Sequence, residues 1–358
     1  MNRIQVGIIG LGNSGWFYHA EASLEDSNSF KLVAVAGGSA QRTKAAAERF
    51  GVKGCEDWND LVQNPTVEVV VIATPTHLHY EMARRALFAG KHVVVDKPIT
   101  LTADDGLELE RIARERGLVL TVFQNRRWEP TFQMARKMVA SGEIGEVWRV
   151  EERRIHGGPY KVAAPDRPHA GDRVAAWTQD TALGGGVTWL VAPHLIDHQL
   201  LLLGFEPESV AARMHTFDGE HAEHYLDLEL RYSGDVLSRV EVLRDPVIDL
   251  PKWTVYGTKG TIVATNFTQL ELRRPGQPQH SRVGLPEVRG VSVFYDQLSD
   301  AILNGAPPPV DPNESVAGVR VMELAHQSAR SHGMPIAYSR PPIIDNDLRV
   351  ARLGREHD

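Results

Sequence analysis

A chain of 358 residues, 42% hydrophobic and 24% charged, is long enough for two packed domains and has an ordinary globular composition. Its formal net charge of −7 excludes nucleic-acid binding through a generally basic surface, which needs clustered Lys and Arg. The single cysteine, Cys55, rules out an intrachain disulfide and a cysteine metal cage, and points to a reducing cytoplasm.

In chain order, MNRIQVGIIG opens with an apolar run too short for a signal peptide, and nothing downstream supplies the roughly 20 apolar residues of a membrane span. Ile4 to Ile9, Lys31 to Ala36, Val67 to Ala73, His92 to Asp96 and Leu118 to Phe123 read as strands, being short, apolar and rich in β-branched residues. Between two of them, Leu78, Met82, Ala83, Ala86 and Leu87 recur at helical spacing, with Gly90 as the stop. LTADDGLELERIARERGL offers Thr102 as N-cap, acids in the first turns, bases in the last, and Gly117 at its end. Strands alternating with helices at this spacing imply a doubly wound parallel sheet.

The first strand runs into GLGNSG, so Gly10, Gly12 and Gly15, with Asn13 and Ser14 between them, form a G-x-G-x-x-G turn ahead of a helix. That context suits a pyrophosphate, which needs a tight turn, a close backbone approach and a helix N-terminus aimed at the anion. The acid that usually meets a free 2′-hydroxyl about 20 residues further on is missing from VAVAGGSAQRTK. Ser39 and Arg42, with Lys44 beside them, offer charge-assisted hydrogen bonds to a 2′-phosphate, which favours NADP over NAD. Ser39 is equally suited to capping the next helix and Arg42 to its solvated first turn. Val93, Val94 and Val95 end on Asp96, Lys97 and Pro98. Lys97 there either lays its stem over the sheet end and reaches water, or enters the crevice where open α/β sheets bind ligands.

After about residue 123 the pattern changes. GEVWRVEERRI, ESVAARMHTF, YLDLELRYSG and VLSRVEVLRD read as antiparallel strands with one polar face. A helix is expected from Asn313 to about Gly333, and APPPVDP before it as a semi-rigid connection. The resulting division is a dinucleotide-binding unit over 1–123, a substrate-binding and oligomerisation unit over 124–340, and a polar tail over 341–358. In GGGVTWLVAPHLIDH, Gly184 to Gly186 precede one long apolar helix to about Leu203. On it His194, Asp197 and His198 share a face, a spacing compatible with a metal pair and equally with polar groups that satisfy the backbone.

GLGNSG, VVVIATPTHLHYEMARRALFAGKHVVVDKPIT, FQNRRWEPTFQMARKMVASGEIGEV, LGGGVTWLVAPHLID and WTVYGTKGTIV occur in an order that resembles the Gfo/Idh/MocA family of NAD(P)-dependent oxidoreductases over nearly the whole chain. The resemblance implies an N-terminal Rossmann domain and a C-terminal α+β domain with a large, open, mostly antiparallel sheet whose exposed face mediates homodimer or homotetramer contacts. It places Thr74, Pro75, His77, His79, Asp96 and Lys97 near the coenzyme, Asp96 standing where the family usually has Glu and Lys97 beside the nicotinamide; His77 and His79 are equally suited to starting the next helix packed against the sheet. Lys97 and His194 become the catalytic pair: a neutral imidazole is a competent general base near neutral pH, and Lys97 stabilises the developing alkoxide. Trp177, Asn125, Arg126 and Asp197 are the implied substrate contacts.

The chain departs from the family in carrying Leu190 where many members have an aspartate, and Thr178 after Trp177 where an arginine is frequent. Asp172 and Asp180 are the upstream carboxylates that could substitute. The expected activity is interconversion of a secondary alcohol and a ketone on a sugar, sugar derivative or cyclitol, with no nucleic-acid or membrane partner and no metal. The alternatives are an NAD-dependent glycosidase using transient oxidation, a non-catalytic NADP-binding sensor, and a metal-dependent hydrolase using His194 and His198.

Overall fold

The computed structural model describes residues 3–25, 27–156, 175–217, 221–244, 250–277, 281–285 and 290–339. β1 (Ile4–Ile9), β2 (Phe30–Ala36), β3 (Lys53–Cys55), β4 (Val69–Ile72), β5 (His92–Val95) and β6 (Leu120–Val122) form a parallel sheet in the order β3-β2-β1-β4-β5-β6. All four β4 residues are buried, as expected for strands covered by helices on both faces. Those helices are Ser14–Leu24, α1 (Ala40–Phe50), α2 (Trp58–Gln63), α3 (His79–Phe88) and α4 (Ala103–Glu115). The short edge strand β3 has no counterpart in the sequence reading, because Lys53, Gly54 and Cys55 carry no apolar run. Thr102 caps α4 as expected, accepting from the Asp105 amide at 3.2 Å.

Register aligns the carboxyl ends of this sheet. Ile9 pairs with Ala36 and Ile72, Ile72 with Val95, and Val95 with Val122. The glycine turn, Gly37, Thr74, Asp96-Lys97 and Gln124 therefore leave the sheet along one rim. The strand order reverses between β1 and β4, the point at which such sheets open a ligand crevice.

The remaining elements are α5 (Pro130–Ala140), β7 (Val147–His156), α6 (Gly186–Leu190), α7 (Ala192–Leu203), β8 (Ser209–His215), β9 (Tyr225–Arg231), β10 (Leu237–Arg244), β11 (Trp253–Gly257), β12 (Thr261–Ala264), β13 (Gln269–Arg273), β14 (Ser281–Gly284), α8 (Gly290–Asn304), α9 (Pro312–Arg330) and β15 (Ile336–Ala337). Their strands form a sheet in the order β14-β13-β12-β11-β7-β10-β9-β8-β15. Leu226, Leu228 and Leu230 are buried on its inner face, where the alternation of a one-sided sheet puts them. Its outer face carries ion pairs, among them Arg149–Glu151 at 2.7 Å, Arg153–Glu241 at 2.9 Å and Arg239–Asp227 at 2.7 Å.

Two expectations are corrected. β7 and β10 pair parallel, not antiparallel, because α6, α7 and the β8–β9 hairpin intervene and return the chain in its original direction. The single long helix after Gly186 is two: it breaks at Val191 (φ −117°, ψ −50°), just ahead of Pro193, whose ring and missing N–H disfavour a continuous helix. The terminal helix runs Pro312–Arg330 with Asp311 as its cap, accepting from the Asn313 amide at 3.0 Å. The tail over 341–358 lies outside the described residues. Among those described, no helix is long and apolar enough to cross a membrane.

One apolar core runs through both halves, joining Val95 and Phe123 to Ile196 and Leu200 of α7, Phe294 and Leu298 of α8, and Val316 and Val319 of α9. A second, smaller core lies under β11–β13 and includes Ala135, Met138, Val255 and Leu270.

Candidate active site

The three glycines of the first turn have different duties. Gly10 sits at φ +95°, and a Cβ there would lie 2.3 Å from the Ala73 carbonyl oxygen. A Cβ on Gly15 would lie 1.9 Å from the Gly10 carbonyl oxygen, so this glycine lets the helix pack on the turn. Around Gly12 there is nothing within 4 Å, which leaves the backbone open to a close-lying phosphate. Gly12→Ala should thus fold with an unchanged melting temperature but bind coenzyme at least about tenfold more weakly. Gly15→Ala should lose about 1–3 kcal/mol of stability by overpacking; fluorescence titration and thermal melting separate the two.

At the end of β2, Ser39 caps α1 by accepting from the Arg42 amide at 3.3 Å. Its hydroxyl proton stays available to an acceptor. Arg42 is half-buried beside open Gly38, whereas exposed Lys44 pairs with Glu48 at 3.9 Å. Thr74 and Pro75 are half-buried on the same rim, and Thr74 Oγ1 donates to Met82 Sδ at 3.6 Å. His77 Nδ1 lies 3.2 Å from the Leu183 carbonyl oxygen. His79 is 1% exposed, and its ring nitrogens sit 2.9 Å from the Pro98 and Thr74 carbonyl oxygens. With both nitrogens on the main chain, the His79 ring is a brace between two rim loops.

Asp96 closes a buried hydrogen-bonded series that sequence reasoning missed. His19 Nε2 lies 3.0 Å from Asp96 Oδ1, and His19 Nδ1 lies 2.7 Å from the Tyr295 hydroxyl; Ser14 also bonds the carboxylate. Burial alone would raise the Asp96 pKa, but the bonds from His19 and Ser14 together hold it below the usual value. The series ties the glycine-turn helix, the end of β5 and α8 together. Its only sequence signal is a histidine on an apolar helix face.

Lys97 crosses from the first half to the second and donates to the Leu190 carbonyl oxygen. The family's aspartate position therefore supplies a main-chain acceptor to the lysine, while its leucine side chain packs against the core. Burial pulls the Lys97 pKa down to about 8, with Asp96 opposing and Arg126 adding to the fall. His194 lies within the field of Lys97, and its buried Nδ1 has no hydrogen-bond partner. Its pKa is held well below the usual value by burial, and then by the charges of Lys97, Arg126, His198 and Arg154. Both causes favour the neutral imidazole over the charged one.

The other expected residues divide. Asp197 is buried in a bidentate pair with Arg127, Nε to Oδ2 being 2.8 Å, while Arg127 Nη1 reaches Glu314 Oε2 at 2.6 Å. Both of its carboxylate oxygens are held, so Asp197 anchors Arg127. His198 Nδ1 lies 2.9 Å from Glu152, its Nε2 3.1 Å from the Arg126 carbonyl oxygen, and its ring stacks on Phe132 at 3.9 Å. A His194–His198 metal pair is thereby excluded, and no cluster able to hold a metal occurs among the described residues. Asp180 is exposed and caps the turn after it, accepting from the Ala182 amide at 2.9 Å, so it does not replace the absent carboxylate. Asp172 lies outside the described residues. Trp177 is half-buried in the turn Ala176–Gln179, which packs on Gly185. Asn125 and Arg126 sit half-buried just beyond β6, and Arg126 Nη1 pairs with Glu129 at 2.8 Å.

The open cradle over Gly12, the helix N-terminus behind it and the aligned rim fit a dinucleotide, and the unpartnered His194 nitrogen fits a ligand beside it. Comparison with known proteins agrees. Residues 4–124 match the model of the oxidoreductase family with an NAD-binding Rossmann fold, and residues 132–263 match the Gfo/Idh/MocA C-terminal domain. The chain belongs to the Gfo/Idh/MocA family and is an NAD(P)-dependent oxidoreductase. It is similar to the oxidoreductase YhhX of Escherichia coli, at 28% identity over 93% of this chain and 99% of that one. It is also similar to the NADP-dependent scyllo-inositol 2-dehydrogenase IolW of Bacillus subtilis, at 26% over 92% and 95%. The biliverdin reductase of Synechocystis, solved with biliverdin and NADP, superposes with a TM-score of 0.77 at 25% identity, over 91% of this chain and 99% of that one.

Proposed function

We propose that this protein interconverts a secondary hydroxyl and a ketone on a sugar, sugar derivative or cyclitol, with NADP as the favoured coenzyme. The observation that supports the reading is Lys97, at the carboxyl end of β5, bonding the Leu190 carbonyl of the second half within the field of His194. Ser39 and Arg42 at the end of β2, where no acid stands, support NADP over NAD.

The bound nicotinamide would take or return the hydride. Lys97 is then the group that exchanges the proton of the reacting hydroxyl, since a pKa of about 8 lets it exist in both forms near physiological pH. Surrounded by cations and burial, His194 pays heavily for a proton, so its neutral nitrogen positions the hydroxyl instead of storing charge. This reverses the division of labour expected from sequence. Loss of the family carboxylate at Leu190 is consistent with it, because nothing there would stabilise an imidazolium.

Purified protein should turn over at least one member of a polyol, inositol and aldose panel, with the nicotinamide absorbance changing and the rate higher with NADP than NAD. Product release without net coenzyme change would favour the glycosidase reading. The leucine at 190 favours one other reading, a sensor without turnover: a single-turnover assay with deuterated substrate would then show no label transfer. Self-association through the ion-paired outer face of the second sheet belongs to the same proposal, and so does a cytoplasmic location. Light scattering at low and high salt tests the former.

A further inference from the structure

Beyond the catalytic pair, positive charge converges on a single aromatic ring. The guanidinium of Arg126 lies 5.7 Å and that of Arg154 5.5 Å from the centre of Phe267, and the Lys252 ammonium stands over the same ring. Phe267 is itself 37% exposed, so part of the ring reaches solvent while its π-face attracts the cations.

The cluster borders the site already described. The Arg126 main chain is pinned by His198, one helical turn after His194. On β7, Glu152 faces inward to His198, and Arg154, two residues on, shares that face by strand alternation. Lys252 is joined to β7 through its carbonyl oxygen, which accepts from the Arg153 amide. Both arginines lie close enough to act on His194.

Lys252 is the informative member. Its Nζ is buried and has no hydrogen-bond partner, although an ammonium carries three donors. Burial and then the Arg154 charge pull its pKa down to about 7; Arg126 adds to this, and Glu129 and Glu152 oppose it only in part. Glu129 is paired with Arg126, and Glu152 with His198 and Gln199, so neither carboxylate supplies Lys252 with a hydrogen bond. The Lys252 ammonium therefore lacks an acceptor, and a small anion beside it would provide one.

We propose that the substrate of this oxidoreductase carries an anionic group, a carboxylate or a phosphate, which Arg126, Arg154 and Lys252 seat beside Phe267 while the reacting hydroxyl lies at Lys97. The proposal rests on the oxidoreductase reading and narrows its substrate class from neutral sugars to acidic ones. Sugar acids and sugar phosphates share the recognised chemistry, and the experiment separates them.

Matched sets are used: D-glucose, D-glucuronate and D-glucose 6-phosphate, with the galacto and manno counterparts. Each is assayed for NADP-linked turnover and, independently, for binding to the coenzyme-loaded protein by calorimetry. At least one acidic member should bind and turn over more than about tenfold better than its neutral partner. A carboxylate preference and a phosphate preference identify the two sources. Lys252→Met should lower affinity for that acid by about 10- to 100-fold, the range of one charge-assisted hydrogen bond, with an unchanged or higher melting temperature. Lys252→Arg should retain the preference. Neutral sugars turned over as well as acids, or acid binding unaffected in Lys252→Met, would overturn the anion site and leave the oxidoreductase reading standing. Acid binding lost in Lys252→Met with no turnover of any member would support the anion site and overturn sugar oxidation.

Discussion

Lys97→Met is expected to lower kcat/KM by about two to four orders of magnitude, the usual contribution of a positioned acid–base group. Coenzyme affinity should survive, because the glycine turn does not depend on the lysine. Stability should hold or rise, since the substitution removes a buried ammonium whose charge is opposed by desolvation. The pH profile gives the sign. Oxidation needs Lys97 unprotonated, so its rate should climb as pH passes upward through about 8; reduction needs the ammonium and should fall through the same point. Lys97→Arg should not rescue, because a guanidinium does not release its proton in this range. A rate flat between pH 7 and 9 in both directions would remove Lys97 from proton transfer.

The second large effect is on folding. Arg127 is buried between Asp197 and Glu314, and Arg127→Met would strand the Asp197 carboxylate in the interior. Breaking a buried pair from one side costs about 3–5 kcal/mol, which denaturant midpoints should register. The double variant Arg127→Met, Asp197→Leu should recover most of that loss, since both buried charges are then gone and Glu314 is more exposed than Asp197. A loss below about 1 kcal/mol in the single variant would mean that water reaches the pair.

These two residues mark where the sequence was legible and where it was not. Gly10, Gly12 and Gly15 could be read because each answers a local backbone demand at fixed spacing; Lys97 was marked by the buried strand it ends, but only the family resemblance turned it from solvent to the crevice. The face formed by His194, Asp197 and His198 was visible too, but not which of its members would be free. That depends on Arg127, 70 residues from Asp197, and on Glu152, 46 residues from His198, and neither separation leaves a pattern in one sequence. His19 and Tyr295, 276 residues apart, were missed for the same reason. The acceptor for Lys97 was hidden differently: it is the carbonyl of Leu190, and a main-chain oxygen is indifferent to the side chain above it. The helix break at Val191 was signalled by Pro193, yet the surrounding apolar run outweighed it in the reading.

The hydrogen-bonded link from Asp96 through His19 to Tyr295 sits inside an apolar core that passes without interruption from one sheet layer to the other. Swinging the halves apart like jaws would have to break that core, which exposes apolar surface to water. Discrimination among candidate molecules is then expected from a mould of fixed shape, by what its walls admit, and a coenzyme-bound structure superposing on the free one without domain rotation would check it.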